Sequence, residues 1–186
     1  MAKRLVCLLV FCHLGLAMAE SIEDRTAACR RVAMEFMSAL KAELMKAMKA
    51  GGPVHAIHVC KKIAPEIALH KSRETGWRVA RTSLKVRNPA NAPDAWERNV
   101  LESFEVRRAQ GENVKDLEHE EIVVENGKRS FRYMKAMQTG GICLQCHGTN
   151  IAPAVAEALK KFYPHDQATG FKLGDIRGAF TITQPM

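Results

Sequence analysis

The chain has 186 residues, of which 47% are hydrophobic and 26% are charged, and its formal net charge is +8 at pH 7. This length provides one domain with a sizeable core and is too short for two comfortable ones. An excess of basic residues can indicate nucleic-acid binding, but the positive residues are dispersed through helical segments. We therefore expect a solvated basic surface and no nucleic-acid partner.

The first 19 residues differ from the rest of the chain. Two basic residues precede the apolar run Leu5 to Leu16, and the small residues of Ala17-Met18-Ala19 follow it. This order is typical of a secretory signal peptide cleaved before Glu20. A run of about a dozen apolar residues is shorter than the roughly 20 that span a membrane. We predict a signal peptide at 1–19 and a periplasmic domain at 20–186 without a membrane span.

Apolar residues at helical spacing predict a long amphipathic helix from Ile22 to Ala50. Gly51-Gly52-Pro53 ends it, and the proline is well placed to open a second helix that runs to about Lys71. A short strand, Trp77 to Arg81, and a proline-containing loop precede a third helix that begins at Asp94.

The second half of the chain has strand-like segments. Glu121 to Val124 and Ser130 to Met137 flank Asn126-Gly127, a dipeptide that suits a type I′ turn and predicts a β-hairpin. Ala154 to Phe162 is predicted to be a helix and Ile176 to Thr183 a closing strand. Helices followed by antiparallel strands, without regular βαβ alternation, predict the α+β class.

Cys143-Leu144-Gln145-Cys146-His147 has the Cys-x-x-Cys-His pattern of c-type haem attachment. Two thiols three residues apart on one turn can each add to a vinyl group of one porphyrin, and the adjacent imidazole then reaches the iron. A thioredoxin-like dithiol is the weaker alternative, because it normally opens a helix within a βαβ unit. A zinc site would need two further ligands. The motif predicts one covalently attached haem c.

A second axial ligand decides whether the iron is open to external ligands. Cys60 lies at the centre of the apolar face of the second helix and is expected to point inward. His55 and His58 lie about 140° and 160° away around the same helix, so both are expected to face water.

Periodicity alone leaves the fate of Cys60 open. It can ligate the iron, pack as an inert buried thiol, or form a disulfide with Cys29, which lies on the apolar face of the first helix. Met134 and Met137 are the alternative iron ligands.

Three stretches of the chain resemble a known bacterial family of PAS-like domains with a single c-type haem, first seen in a cyanobacterial protein. They are Trp77 to Glu97, Cys143 to Gly148, and Tyr163 to Phe180 with its GDIRGAF ending. The resemblance implies an antiparallel sheet flanked by N-terminal helices. It also implies that His147 and a cysteine of an N-terminal helix ligate the iron, and Cys60 matches that cysteine by its place in the second helix.

The basic residues Arg81, Lys85 and Arg87 precede Asn88-Pro89. They can form a cradle for the haem propionates, since guanidinium groups pair well with carboxylates, or they can belong to a solvated loop.

The family resemblance implies a sensor of redox state or of a diatomic gas, whose partner is the gas or a redox protein. A monohaem cytochrome c-like electron carrier is the alternative. We do not expect an enzyme of the peroxidase type, because no histidine or carboxylate of the sequence can be assigned to the distal side of the iron.

Overall fold

The computed structural model describes residues 20–186, so the predicted signal peptide lies outside the described residues. Short 3₁₀ turns at Pro89–Asn91 and Gly141–Cys143 accompany the main elements. These elements are α1 (Ile22–Thr75), β1 (Arg78–Thr82), α2 (Ala95–Ala109), β2 (Glu118–Glu125), β3 (Lys128–Gln138), α3 (Leu144–His147), α4 (Pro153–Phe162) and β4 (Ile176–Pro185).

The first element, α1, is a helical hairpin. Gly51 and Gly52 have non-helical backbone angles, and φ of Gly52 is 69°, a value that favours glycine. Lys71 Nζ lies 2.7 Å from Glu35 Oε2, so residues 53–75 run back along residues 22–50. The predicted break between two helices is confirmed.

The four strands form one antiparallel sheet in the order β1-β4-β3-β2. The turn between β2 and β3 has positive φ at Asn126 (53°) and Gly127 (75°), as the type I′ prediction requires. The α+β class with an antiparallel sheet and N-terminal helices is confirmed.

Helices cover both faces of the sheet. The first arm of α1 places Cys29 and Phe36 against one face, in a cluster that includes Phe180. Helix α2 packs on the other face, where Phe104 and Met134 are buried. A third, smaller cluster joins the second arm of α1 to α4, with members Ile57, Val155, Ala158 and Leu159. Within residues 20–186, no helix has both the length and the apolar character needed to cross a membrane.

Candidate functional site

The Cys-x-x-Cys-His motif occupies one short helical turn. The 3₁₀ turn that ends at Cys143 continues directly into α3, which ends at His147. Gly148 then closes α3 by donating its N–H to the carbonyl of Leu144 at 2.9 Å. A Cβ on Gly148 would lie 2.6 Å from that same carbonyl oxygen, so the tight exit from the turn requires glycine. The two thiols are three residues apart on this turn, which places them on one side of it.

His147 has a defined hydrogen-bonding state. Its Nδ1 lies 2.7 Å from the carbonyl oxygen of Ala168, a distance at which Nδ1–H must donate. Nε2 then keeps its lone pair, the form of imidazole that ligates a metal. Burial, together with the charges of Arg177 and Arg87, holds the pKa of His147 well below its usual value. The ring is therefore neutral at physiological pH.

Arg87 joins three segments of the chain. Its Nη2 donates to the carbonyl oxygen of Cys146 at 2.5 Å and to that of Ala168 at 3.1 Å, and its Nε donates to Asp166 at 3.0 Å. Nη1 also lies 3.4 Å from Nε2 of His147. The structure thus places Arg87 as a clamp on the α3 turn, with most of its donors used by protein acceptors.

The other two residues of the predicted basic loop differ from Arg87. The Arg81 guanidinium lies 5.7 Å from the centroid of the Phe36 ring, and burial lowers its pKa. Among the described residues, Arg81 forms no ion pair with a carboxylate. Lys85 is exposed, with its Nζ 5.2 Å from the Phe171 ring centroid and 3.4 Å from the carbonyl of Thr169.

Cys60 lies on the second arm of α1 and is half-buried. Burial raises the pKa of its thiol, whereas the charges of Arg81 and Arg87 act in the opposite direction. The pKa values of Cys146 and Tyr163 are raised mainly by burial and further by a charge on Cys60. The structure therefore brings the predicted ligand Cys60 into one electrostatic environment with the α3 turn.

The two histidines of the same arm are exposed, as predicted. The ring of His58 lies against Phe162, with centroids 4.6 Å apart, and His55 lines the same open groove. Ala158 and Phe162 also line this groove. Ala158 belongs to the cluster against which Cys146 packs, and Phe162 packs against the same cluster.

The alternative iron ligands and the possible disulfide partner of Cys60 lie in the core clusters. Cys29 is fully buried beside the sheet, where Nε2 of Gln184 donates to its Sγ at 3.1 Å. Met134 is buried under α2, and Met137 packs against the cluster of the first arm. All four cysteines of residues 20–186 are free, so the structure contains no Cys29–Cys60 disulfide in this range.

Arg177 is a site residue that the sequence analysis did not single out. Its Nε lies 3.1 Å from Nδ1 and 3.4 Å from Nε2 of His147, and its Nη1 donates to Ser83 Oγ at 3.1 Å. Burial, then the charges of Arg87 and Arg81, lower its pKa to about 10. The sequence feature that could have identified Arg177 is its place as a single arginine in an otherwise apolar strand segment, inside the GDIRGAF stretch.

The site has an excess of positive charge. Three guanidinium groups, of Arg81, Arg87 and Arg177, are enclosed there, and Asp166 is the carboxylate that pairs with one of them. Enclosed charge without a counter-ion is costly, so this environment suits a bound group that carries negative charge. A haem with its two propionates fits this requirement, and a thiolate at Cys60 would add to the compensation.

The donor set also fits a haem better than a metal ion bound by protein alone. Among the described residues, no group of three or more His, Cys, Asp or Glu could hold a metal ion by itself. A haem needs fewer protein ligands, because the macrocycle provides four of the six donors to iron.

These features define an α+β domain in which an N-terminal helical hairpin and a four-stranded antiparallel sheet accompany a Cys-x-x-Cys-His turn. The family model described as Tll0287-like matches residues 18–185, and the chain belongs to this family, as its sequence resemblance predicted. Among the curated proteins, none is significantly similar to the chain.

A solved relative shares the fold. The crystal structure of the cyanobacterial heme-protein Tll0287 superposes with a TM-score of 0.62 at 22% sequence identity. The similarity covers 89% of this chain and 94% of that one, so it extends over nearly the whole domain.

Proposed function

We propose that this chain binds one haem c covalently and acts in the periplasm as a sensor of redox state or of a diatomic gas, without enzymatic activity. The observation that carries the proposal is the Cys-x-x-Cys-His turn enclosed with three guanidinium groups and a single paired carboxylate. The fold shared with a protein described as a heme-protein supports it.

Cys143 and Cys146 form the covalent attachment. Each thiol adds across the double bond of one vinyl group: sulfur bonds to one carbon and the thiol hydrogen goes to the other. The addition breaks one S–H bond and one π bond and needs no oxidant or reductant, but both thiols must be free. Both are free in the structure.

His147 and Cys60 are the proposed axial ligands. A bound haem iron supplies a one-electron couple and, when one axial ligand leaves, a coordination position for a diatomic gas. His147 is the fixed ligand, because the Ala168 carbonyl holds its Nδ1–H and leaves the lone pair on Nε2. Arg87 Nη1 and Arg177 Nε each lie 3.4 Å from Nε2, so iron would take the place of these contacts. Cys60 is the labile ligand, because a thiolate can be displaced from the iron when the iron is reduced or the sulfur is protonated.

The basic residues have different roles in this proposal. Arg81, which has no carboxylate partner among the described residues, is the residue we assign to a propionate. Arg87 holds the α3 turn and has little capacity left for a propionate. Exposed Lys85 can reach a propionate only at the edge of the site.

A groove on the surface favours electron transfer as the second candidate function. It has a volume of about 620 Å³ and lies between the second arm of α1 and α4, outside the cluster that contains Cys146. Lys61 and Lys161 place their Nζ atoms 5.5 and 5.9 Å from the centroid of the Phe162 ring. Exposed lysines around an aromatic ring could dock an acidic redox protein close to the thioether side of the haem.

Carbon monoxide binding distinguishes the two functions. The protein is purified from the periplasm of a host with a cytochrome c maturation system, reduced near neutral pH and mixed with the gas. Rapid binding by the native ferrous protein and slow binding by Cys60→Met support a sensor with a labile thiolate. Refusal of the gas by the native ferrous protein, with rapid electron exchange with a small cytochrome, supports the carrier and contradicts the sensor.

A further inference from the structure

A β-bulge directs Arg177 toward the α3 turn. Along the β3–β4 pair, Met137 is opposite Gly178 and Gln138 is opposite Ile176, so Arg177 is the extra residue without a partner. A bulge interrupts the regular alternation of side chains and can aim one of them away from its expected face. Gly178 has φ of 152°, and a Cβ there would collide with the backbone oxygen of Thr82. Glycine therefore allows β1 to approach the bulge closely.

The guanidinium of Arg177 is held on several sides. Nη1 donates to Ser83 Oγ at 3.1 Å and lies 3.4 Å from the carbonyl of Lys85. Ser83 is itself fixed, because its hydroxyl lies 2.9 Å from the carbonyl of Arg177. The guanidinium carbon lies 5.3 Å from the centroid of the Phe171 ring, which contacts His147 edge-on. Arg177 is thus fixed against the imidazole by neighbours on the loop after β1 and on the loop before β4.

The hydrogen-bonding state of His147 determines what this contact means. Because Nδ1–H donates to Ala168, Nδ1 has no lone pair for Arg177 Nε, and the guanidinium faces the ring and its Nε2. The one carboxylate nearby, Asp166, is paired with Arg87 at 2.9 Å. Among the described residues, no carboxylate forms an ion pair with Arg177, so no protein carboxylate offsets the positive charge that it places beside the imidazole.

We propose that Arg177 is a positioning residue for the histidine ligand of the iron, and that its charge raises the reduction potential of the bound haem. This inference rests on the proposed function. A fixed positive charge in a protein interior favours the oxidation state with less positive charge, which is the ferrous one. Arg177 also limits rotation of the imidazole, so the ring plane and the charge beside it are set by the same side chain.

The test compares Arg177→Leu, Arg177→Lys and the matched control Arg98→Leu, which removes an exposed arginine of α2. Covalent haem per chain is measured first, from the pyridine haemochrome and the intact mass. Absence of haem from the native protein would contradict the proposed function. The role of Arg177 is tested separately, by comparing variants that do carry haem. The reduction potential and the electron paramagnetic resonance spectrum of the ferric form are then recorded.

For Arg177→Leu we expect the equilibrium constant of one-electron reduction to fall about tenfold, which is about 59 mV. Arg177→Lys keeps the charge and should restore most of the potential, and Arg98→Leu should match the native protein. Equal potentials in Arg177→Leu and Arg98→Leu would overturn the inference, as would equal shifts in the Leu and Lys variants. If Arg177→Leu does not accumulate, Arg177→Gln is judged by the same comparison.

Discussion

Arg87 and Cys146 are 59 residues apart in the sequence, yet Nη2 of Arg87 donates a 2.5 Å hydrogen bond to the carbonyl oxygen of Cys146. The same guanidinium contacts Asp166 and the carbonyl of Ala168. The loop after β1, the α3 turn and the segment before β4 therefore meet at one side chain.

The first prediction concerns covalent attachment. Replacing both Cys143 and Cys146 with serine should abolish it, because neither thioether can form. The measurement is the pyridine haemochrome after acid-acetone extraction, together with the intact mass. Cys29→Ala is the matched control, since it removes a thiol of the core and should leave attachment intact. A double variant that still retains its haem through extraction would contradict the attachment site.

The second prediction concerns Cys60. Cys60→Ala should change the absorption spectrum of the oxidised protein and raise its reduction potential, because an anionic sulfur donor is lost from ferric iron. His58→Ala is the control on the same arm, since this histidine is exposed. An unchanged oxidised spectrum would exclude Cys60 as a ligand, and Met134 and Met137 would then be tested.

The third prediction concerns the clamp. Arg87→Ala should destabilise the domain by about 2 kcal/mol and lower the yield of attached haem, because charge-assisted hydrogen bonds to Cys146, Ala168 and Asp166 are lost together. Arg87→Lys should recover little of this, because an ammonium group cannot reproduce the planar fork. The measurements are urea unfolding and haem per chain. A lysine variant as stable as the native protein would show that charge alone is sufficient.

The fourth prediction concerns the exit from the α3 turn. Gly148→Ala should cost about 1–3 kcal/mol, because its Cβ would lie 2.6 Å from the carbonyl oxygen of Leu144 and the turn would have to open. Gly141→Ala changes the first residue of the 3₁₀ turn that leads into the motif, where a Cβ would meet nothing within 4 Å, and it should be tolerated. Thermal unfolding of the two variants side by side is the measurement. Equal midpoints would contradict the steric argument.

The fifth prediction concerns acid stability. The hydrogen bond from Arg30, with further contributions from Tyr133 and Lys135, lowers the pKa of Glu118 to about 2 from an ordinary value of 4.5. A carboxyl group with a depressed folded-state pKa stabilises the fold above its unfolded pKa, and this contribution is lost as the pH falls from about 4.5 toward 2.

Glu118→Gln should therefore lower the free energy of unfolding at pH 7 by on the order of 1 kcal/mol, after allowance for solvent screening. The difference from the native protein should shrink below pH 4. Glu120→Gln, an exposed position of the same strand, is the control. A difference that stays constant between pH 7 and pH 3 would contradict the role of the Glu118 charge.

Local signals in the sequence predict most of the fold. Asn126-Gly127 specifies its hairpin through two positive φ angles, and Gly51-Gly52 marks the turn between the arms of α1. Asp94 begins α2, where its side chain accepts from Glu97 N–H and the Glu97 side chain accepts from the Asp94 N–H. Each of these features depends on residues within four positions of one another.

The site is less predictable because its residues meet only through tertiary structure. The Cys-x-x-Cys-His turn is local, and the sequence identifies it. The position of Arg177 depends on a bulge between two strands, and that of Arg87 on loops far apart in the chain. Helical periodicity correctly places His55 and His58 on an exposed face of the second arm. It does not predict which element packs against the opposite face, where Cys60 lies.

The half-buried position of Cys146 constrains the order of events in biogenesis. In the folded domain its side chain packs against the cluster that the second arm of α1 forms with α4, while Arg87 holds its carbonyl oxygen. A vinyl group must reach the sulfur of Cys146 before these contacts close around it. Under the proposed function, haem attachment therefore precedes docking of the second arm, and the maturation machinery acts on a chain that has not yet finished folding.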